Sequence, residues 1–402
     1  MTTNACPVAG ACVKRFLSVL MLLAAFLAPV VAAPQSLLRI DLQPVARGPL
    51  GAATGLFTRG GGALALVGPQ ASVATGAPND PLFSVQWGPQ QVRADRAWGV
   101  TRGSGALIAI VDSGIDLTHP DLTANVIPGN TFLSCGDQGC GNGDWQNGHP
   151  HGTHVAGIAA AVADNGVGIV GVAPEAKLLA VRVLDADGSG TFEDIALGIR
   201  FAADYGAKVI NLSLGALPGV QVLTITGVED TVVRAIEYAN ARGVVVVAAA
   251  GNEAVPLCDT PGFDPGVVCV TATDKRELKA AYANAPVRPD LVSVAAPGGA
   301  GLSVVCREDI VSTVPPGTGT NACGYPADRA YDEFAGTSMA TPHVAGVAAL
   351  LVSLGCSRER TITLLTSTAR QPVVGLRGVW TPVYGYGIVD AEAAVQAAQS
   401  VC

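Results

Sequence analysis

A serine among small residues stands at the start of an apolar helical pattern near the carboxyl end of the chain. Residues 336–343 have the sequence GTSMATPH, and the apolar run Val344 to Leu354 follows directly. A hydroxyl at a helix start lies near the positive end of the helix dipole, and small neighbours let a substrate backbone approach closely. Ser338 is therefore a candidate nucleophile, provided that the sequence supplies a base and an orienting acid elsewhere.

Two further motifs supply that acid and that base. Asp112 ends the apolar run Ala106 to Val111, which is typical of a buried strand, so its carboxylate would lie at the carboxyl end of that strand. Catalytic groups gather at this edge of a parallel sheet. His151, in the segment HPHGTHVAG at 149–157, begins a pattern typical of a buried helix. An imidazole can take the serine proton, and a buried carboxylate can fix its tautomer.

The order Asp112, His151, Ser338 and the motifs around these residues resemble the subtilisin-like serine proteases, in pattern closest to their thermitase-like secreted members. The resemblance covers about residues 80–401. It implies that Ser338 is the nucleophile, His151 the general base and then acid, and Asp112 the group that orients the imidazole. The implied activity is a serine endopeptidase that acts through an acyl-enzyme. A processing protease or transpeptidase on the same triad, or an inactive binding protein of this fold, are the alternatives.

The family pattern also includes an oxyanion donor. An apolar strand pattern at 243–250 is followed by Gly251 and Asn252. By resemblance, the Asn252 side chain and the Ser338 backbone N–H donate to the oxyanion of the tetrahedral intermediate. One such donor lowers the barrier by about 3 to 4 kcal/mol, a value that comes from subtilisin itself. Taken singly, Asp112 could simply end a strand and Asn252 could cap a turn, but four motifs in family order favour the catalytic interpretation.

The resemblance further implies where a polypeptide substrate binds. An extended peptide would add as a strand between two segments and be held by main-chain hydrogen bonds, whereas a core strand and a turn are the alternative. Glu253 and Asp259 border the expected primary specificity pocket, where acidic side chains would favour Lys or Arg. A solvated loop aspartate is the alternative for Asp259. The residues assigned to substrate binding are Gly188, Ser189, Gly190, Ser213, Leu214, Gly215, Glu253 and Asp259.

Calcium is the cofactor that the resemblance implies, in a structural role. Asp121 matches a carboxylate ligand of the family, and residues 162–169, VADNGVGI, resemble the calcium loop of thermitase-like members. Oxygen donors in this number suit calcium, whereas a turn rich in Asn and Gly is the alternative. The implied ligands are Asp80, Asp121, the Asn165 side chain and the carbonyl oxygens of Val162, Val167 and Ile169.

Three histidines, His149, His151 and His154, also have the spacing of a metal-binding cluster. On a helix His151 and His154 lie near one face, but His149 precedes the helix. Because no cysteine or acidic ligand clusters beside them, we expect no zinc site here. His154 is expected to pack as a satisfied core histidine.

The elements that must position these motifs alternate between strands and helices from Asp80 onward. Such alternation favours a parallel sheet with helices on both faces. With the resemblance, this predicts an α/β protein of three layers, αβα, with a mostly parallel central sheet. The predicted strands are Leu107–Val111, Leu178–Val183, Val209–Ser213, Val244–Ala249, Val267–Thr271 and Leu291–Ala295. The predicted helices are His151–Val162, Thr191–Tyr205, Thr231–Ala241, Thr337–Leu354 and Asp390–Gln399.

The composition of the chain argues against one class of binding partner, nucleic acid. The chain has 402 residues, of which 49% are hydrophobic, enough for one large core. Its net charge of −8 offers no basic surface, so we do not expect nucleic acid as a partner. The sequence leaves the oligomeric state open.

The residues before the expected peptidase domain, 80–402, fall into two segments. Lys14 and Arg15, the apolar run 16–31 and small residues at 30–33 are typical of a signal peptide over 1–33. The apolar run is short for a membrane span, so we expect the signal peptide to be removed. The mature protein is then expected to be secreted to the extracellular or periplasmic space and to have no stable association with the membrane. A retained anchor is the alternative. Residues 34–79, rich in Gly and Ala, are interpreted as a short pro-segment or linker.

Ten cysteines are present, and only Cys6 and Cys12 lie within the signal segment. An even remainder in an exported chain indicates disulfides, although eight cysteines allow 105 connectivities. Pairing by proximity in the sequence joins Cys135 with Cys140, Cys258 with Cys269, Cys306 with Cys323, and Cys356 with Cys402.

Overall fold

A computed structural model describes residues 77–216, 231–302, 305–320, 322–326 and 328–402. The predicted signal peptide, 1–33, and all but the last three residues of the predicted pro-segment, 34–79, lie outside these ranges. Within them, no helix has both the length and the apolar character that crossing a membrane requires.

A parallel sheet of seven strands forms the middle of the described structure. Its strand order is β2-β3-β1-β4-β5-β6-β7, and every neighbouring pair runs parallel. Two further strands, β8 and β9, pair with each other antiparallel. The strands are β1 Leu107–Asp112, β2 Val126–Thr131, β3 Lys177–Arg182, β4 Val209–Leu212, β5 Val245–Ala249, β6 Val267–Thr273, β7 Ser293–Pro297, β8 Ile310–Thr313 and β9 Tyr331–Phe334.

Consecutive residues of the strands pack into different cores. In β1, Ile108 and Ile110 belong to one buried cluster, whereas Ala109 and Val111 belong to another. Because successive side chains of a strand point to opposite faces, the two clusters lie on the two faces of the sheet. Burial on both faces explains why the strands are continuous apolar runs in the sequence.

Helices cover both faces. Residues of α3, α6, α7 and α8 join the first cluster, and residues of α4 and α5 join the second. The predicted three-layer αβα architecture is therefore confirmed. The α-helices in the described ranges are α1 Gly88–Gln91, α2 Ala94–Ala97, α3 His151–Ala160, α4 Phe192–Tyr205, α5 Thr231–Ala241, α6 Thr337–Ser353, α7 Arg358–Ser367 and α8 Ala391–Val401, and a short 3₁₀ helix spans Phe83–Val85.

Several boundaries differ from the prediction for local reasons. Helix α3 ends at Ala160 rather than Val162, because the Val162 N–H donates to the carbonyl oxygen of Asp121 at 2.9 Å and leaves the helix. Thr191 and Asp390, the predicted first residues of two helices, are their N-caps, and each side chain accepts a backbone N–H. The half-exposed strand β2, VIPGNT, lacks an apolar run and was not predicted.

The described part of the chain contains four disulfides, and they join the four pairs that proximity predicted. Cys135 pairs with Cys140, Cys258 with Cys269, Cys306 with Cys323, and Cys356 with Cys402. The last pair ties the end of α8 to the residues before α7.

Candidate active site

The carboxyl end of β1 and the first turn of α3 bring an acid and an imidazole together. Asp112, the last residue of β1, is fully buried, and its Oδ1 lies 2.8 Å from Nδ1 of His151, the first residue of α3. A Cβ added at Gly152 would lie 2.3 Å from the carbonyl oxygen of Gly114. Only glycine therefore lets this helix start pack closely enough for the contact.

Asp112 sets both the tautomer and the basicity of His151. Its carboxylate accepts the Nδ1 hydrogen, which leaves Nε2 available to take a proton. Burial lowers the pKa of His151, but the charge of Asp112 and the hydrogen bond to it together outweigh burial, so the pKa lies above the ordinary 6.5. The ring remains 20% exposed. His151 can therefore act as a base toward a group in the neighbouring cleft.

Ser338 lies in the first turn of α6, and its side chain faces the end of β4. Its Oγ donates to the carbonyl oxygen of Ser213 at 3.2 Å. No hydrogen bond joins Ser338 to His151, both of which the structure describes. A serine hydroxyl can rotate about χ1, and catalytic hydrogen bonds often form only when substrate is bound.

A proline within α6 frees a backbone carbonyl that bonds the Ser338 segment to the end of β4. In a regular helix the Ser338 carbonyl would accept the N–H four residues on, but that residue is Pro342, which has none. The free carbonyl accepts the Ser213 hydroxyl at 2.7 Å instead. Asn211, buried in β4, donates to the same hydroxyl at 2.9 Å. Sequence reasoning missed Asn211 and Pro342, although Pro342 lies inside the motif that identified Ser338.

Asn252 is anchored through its oxygen, which leaves its amide nitrogen as a donor. Its Oδ1 accepts the Thr337 backbone N–H at 2.9 Å and the Thr337 hydroxyl at 3.1 Å. The same hydroxyl accepts the Gly251 N–H at 3.1 Å. Asn252 thus lies beside Ser338, held by a fully buried threonine that sequence reasoning did not single out.

A cleft of about 750 Å³ borders His151. Its lining includes the two segments 187–190 and 213–216. Six of the eight residues assigned to substrate binding line it, namely Gly188, Ser189, Gly190, Ser213, Leu214 and Gly215.

The two acidic residues assigned to the specificity pocket, Glu253 and Asp259, are not among the residues that line this cleft. Asp259 is only 2% exposed, and it and Glu253 share a donor, since Asn284 Nδ2 lies 3.4 Å from Asp259 Oδ1 and 2.8 Å from Glu253 Oε2. Neither side chain lines the 750 Å³ cleft, whereas Thr260 and Pro261 do. The predicted preference for Lys or Arg stays a prediction.

The predicted calcium ligands meet at the loop after α3. Asp121 and Asp80 are buried, and no ion pair with either carboxylate occurs in the described part of the chain. Burial, together with the charge of Asp80, raises the pKa of Asp121 to about 7. Two carboxylates without a basic partner are a favourable setting for a cation.

The remaining donors fit calcium with one adjustment. No described group donates a hydrogen bond to the carbonyl oxygens of Val162, Val167 or Ile169, so these oxygens are available as ligands. Asn165, however, directs Nδ2 at Asp121 Oδ1 at 2.8 Å. Its amide would have to turn over to present oxygen to a metal ion. The set is all oxygen, as calcium prefers.

The three clustered histidines have separate environments. His154 is fully buried, its Nε2 lies 3.1 Å from the carbonyl oxygen of Ile310, and burial lowers its pKa to about 3. Its ring stacks on Phe334 at 4.3 Å. His149 lines the cleft instead. No group of three or more His, Cys, Asp or Glu side chains is placed to hold a metal in the ranges that the structure covers.

Comparison with known proteins gives one consistent result. Residues 103–387 match the model of the subtilase family of peptidases. Thermitase from Thermoactinomyces vulgaris is 42% identical over 320 residues, which span 79% of this chain and 99% of that enzyme. A thermophilic serine proteinase from a Bacillus species is 44% identical over 284 residues, 70% of this chain and 61% of the relative. A solved protease structure from Pseudoalteromonas arctica aligns with a TM-score of 0.68 and 35% identity, over 80% of this chain and 99% of that one. The chain therefore belongs to the subtilase family and is a subtilisin-like serine endopeptidase.

Proposed function

We propose that this endopeptidase hydrolyses polypeptides through an acyl-enzyme on Ser338, with His151 as general base and acid and Asp112 as its orienting carboxylate. The observation that carries the proposal is the 2.8 Å contact between His151 Nδ1 and the buried Asp112, beside a serine at a helix start. This contact fixes the imidazole in the tautomer whose Nε2 can accept the serine proton.

The reaction proceeds in two halves. Ser338 Oγ attacks the carbonyl carbon of the scissile bond while its proton passes to His151 Nε2, which gives a tetrahedral oxyanion. The oxyanion collapses, the C–N bond breaks, and the leaving amine takes the proton from His151. A water molecule then gives a proton to His151 and attacks the acyl carbon. Collapse of the second intermediate returns the proton to Ser338 Oγ and releases the acid.

Two donors stabilise the oxyanion in this proposal. Asn252 is suited to the role because Thr337 occupies its Oδ1 and leaves Nδ2 to donate. The Ser338 backbone N–H, in the unpaired first turn of α6, is the second donor. An extended polypeptide would lie between residues 188–190 and 213–215, both of which line the cleft.

Active-site labelling tests the assignment. A fluorophosphonate probe should form an adduct on Ser338, and Ser338→Ala should lose both the adduct and peptide hydrolysis. The Val373→Ser variant, changed at a 96% exposed position, is the matched control and should label fully. An adduct elsewhere, or none in mature protein, would contradict the triad and favour an inactive binding protein. Adding an amine nucleophile separates hydrolysis from transfer, because a transpeptidase would give the amide product.

Calcium is proposed as a structural ion held by Asp80, Asp121, Asn165 and the carbonyl oxygens of Val162, Val167 and Ile169. When bound, it would neutralise the two buried carboxylates and stabilise the loop after α3. In the inactive Ser338→Ala background, which prevents self-digestion, calcium should raise the unfolding temperature. The added substitution Asp121→Asn should abolish that rise. An equal rise in both proteins, or none in either, would refute the site.

Secretion is proposed from the signal-peptide pattern over residues 1–33. Mass spectrometry of the N-terminus of the exported protein tests it and also locates any cleavage within 34–79. Retention of the apolar run 16–31 in the mature protein would favour the anchored alternative.

A further inference from the structure

His149 occupies the cleft beside the proposed general base and has no part in the triad. The centroids of the His149 and His151 rings are 6.1 Å apart. The ring also approaches the segment 188–190 of the cleft, since a Cβ on Gly188 would lie 4.0 Å from the His149 Cδ2 and Cγ atoms. His149 therefore lies near both the His151 imidazole and the edge formed by residues 188–190.

Hydrogen bonds fix the orientation and tautomer of this ring. His149 Nδ1 accepts the backbone N–H of His151 at 3.3 Å, so Nδ1 carries no hydrogen and the proton resides on Nε2. The His149 carbonyl accepts the Ser113 hydroxyl at 2.8 Å, which holds the backbone on the other side. No described group bonds to Nε2. The cleft thus gains one N–H donor that has no protein partner among the residues covered by the structure.

Burial first, and the neighbouring His151 second, favour the neutral form of His149. Burial and the nearby His151 lower the pKa of His149, and Asp112 offsets this only in part. Protonation at Nδ1 would also break the hydrogen bond from the His151 backbone. When His151 takes up the serine proton, a second cation 6.1 Å away would be unfavourable, so His149 acts as a neutral donor throughout the reaction.

We propose that His149 is a specificity-determining residue, which donates from Nε2–H to an uncharged hydrogen-bond-accepting side chain at one position of the substrate. The proposal rests on the proposed function, since it assumes that an extended polypeptide occupies this cleft. Side chains of an extended strand alternate, so only one residue near the scissile bond faces the wall formed by His149 and Gly188. Asn, Gln, Ser and Thr fit this donor. Asp187, which lines the same cleft, would repel a carboxylate.

Matched peptide pairs isolate the hydrogen bond. At each position near the scissile bond, peptides with Asn against Leu and Thr against Val compare side chains of similar shape with and without an acceptor. For wild type, His149→Phe and His149→Gln, kcat/KM is measured and normalised by active-site titration. At one position, the Asn-to-Leu and Thr-to-Val ratios should fall about 3- to 10-fold in His149→Phe, the range that one neutral hydrogen bond supplies. His149→Gln should retain them, because its amide N–H can replace Nε2–H.

The outcomes separate specificity from simple support of the helix. A uniform loss over all peptides in His149→Phe would overturn the proposal, because it would mean that His149 only positions the start of α3. Unchanged ratios at every position would overturn it as well. His149→Leu provides a second apolar variant if the phenylalanine does not fold. Failure of the underlying function is distinct, since wild type itself would then neither hydrolyse peptides nor be labelled at Ser338.

Discussion

The basicity of His151 is a balance of opposing effects. Burial alone would favour the neutral imidazole, but a fully buried carboxylate at 2.8 Å favours the imidazolium by charge and by hydrogen bonding. In the proposed mechanism, the imidazolium is the form that must appear when Ser338 gives up its proton. Asp112 therefore supplies stabilisation where positive charge develops during the reaction.

The substitution Asp112→Asn should lower kcat by about 10⁴-fold, the scale found for the equivalent change in other serine proteases. It should also move the acid limb of the kcat/KM profile. A protonated His151 cannot act as a base, so activity falls as pH drops below its pKa, which lies above 6.5 in the native site. Removing the carboxylate charge lowers that pKa and shifts the residual acid limb to lower pH. Steady-state kinetics from pH 5 to 9 measure both effects, and an unmoved limb would contradict the account.

How far the site could be predicted from sequence depends on whether a contact is local. Asp112, His151 and Ser338 each lie in a short motif whose neighbouring residues point to the role proposed for it. The bond from Thr337 to Asn252 joins residues 85 positions apart, and no local pattern encodes it. The direction of Ser338 Oγ and the burial of Asp259 behind Gly215 likewise follow only from the packing of loops around the sheet.

Burial of a strand decides whether the sequence alone could predict it. Strands β1, β4 and β5 are buried on both faces, so their apolar runs predicted them within two residues. Strand β2 lies at the edge of the sheet and carries Pro128 and Gly129, and its pairing with β3 shifts register there. Strand β2 therefore forms because β3 offers it a pairing edge, more than because of the strand propensity of its own residues.

Helix α6 has an interior proline that would ordinarily weaken it. The missing N–H of Pro342 leaves the Ser338 carbonyl free, and the Ser213 hydroxyl uses it at 2.7 Å. The same two serines form a second bond from Ser338 Oγ to the Ser213 carbonyl. The break in helical bonding thus lets Ser338, the proposed nucleophile, bond to Ser213 at the end of β4, a residue that lines the cleft.

Replacing the proline, Pro342→Ala, should restore the helical N–H donor and let it compete for the Ser338 carbonyl. We expect kcat to fall about 3- to 10-fold, the worth of one hydrogen bond at the site, while the unfolding temperature stays equal or rises because alanine favours the helix. Steady-state kinetics and calorimetry on the same preparation measure the change in kcat and the change in unfolding temperature separately. Val347→Ala, a buried change later in α6, is the control and should lower stability without a comparable loss of kcat in titrated enzyme. A fall in kcat that merely tracks lost stability would contradict this role for Pro342.

The close packing of α1 against α6 buries a histidine where the charged form is strongly disfavoured. His343 is fully buried, and a Cβ added at Gly88 would lie 2.4 Å from its Nε2, which has no hydrogen-bond partner in the described structure. Nδ1 lies 2.8 Å from the Met339 carbonyl oxygen of the same helix. Burial lowers the pKa of His343 to about 4, although the Met339 contact offsets part of this.

This histidine should make the fold sensitive to acid. Its folded pKa of about 4 lies below the ordinary 6.5, so the unfolded chain binds its proton first as pH falls. The contribution to stability is complete above pH 6.5 and is lost progressively toward pH 4, by about 3 kcal/mol in total. The variant His343→Leu, made in the Ser338→Ala background, should lack this loss. Urea unfolding at pH 7, 6, 5 and 4 measures the free energy of unfolding of both proteins.

The difference between the two proteins isolates His343 from groups that titrate in the opposite sense. Burial raises the pKa of Asp264 to about 7, so its protonation stabilises the fold as pH falls, equally in both proteins. The control Val347→Ala removes buried apolar volume from the same helix and does not titrate, so its destabilisation should be the same at every pH. The free energy of unfolding of His343→Leu should instead rise relative to that of its parent by about 1 kcal/mol for each pH unit below 6. If the free energy of unfolding fell equally with pH in the parent and in His343→Leu, protonation of the His343 imidazole would not be the cause of the acid sensitivity.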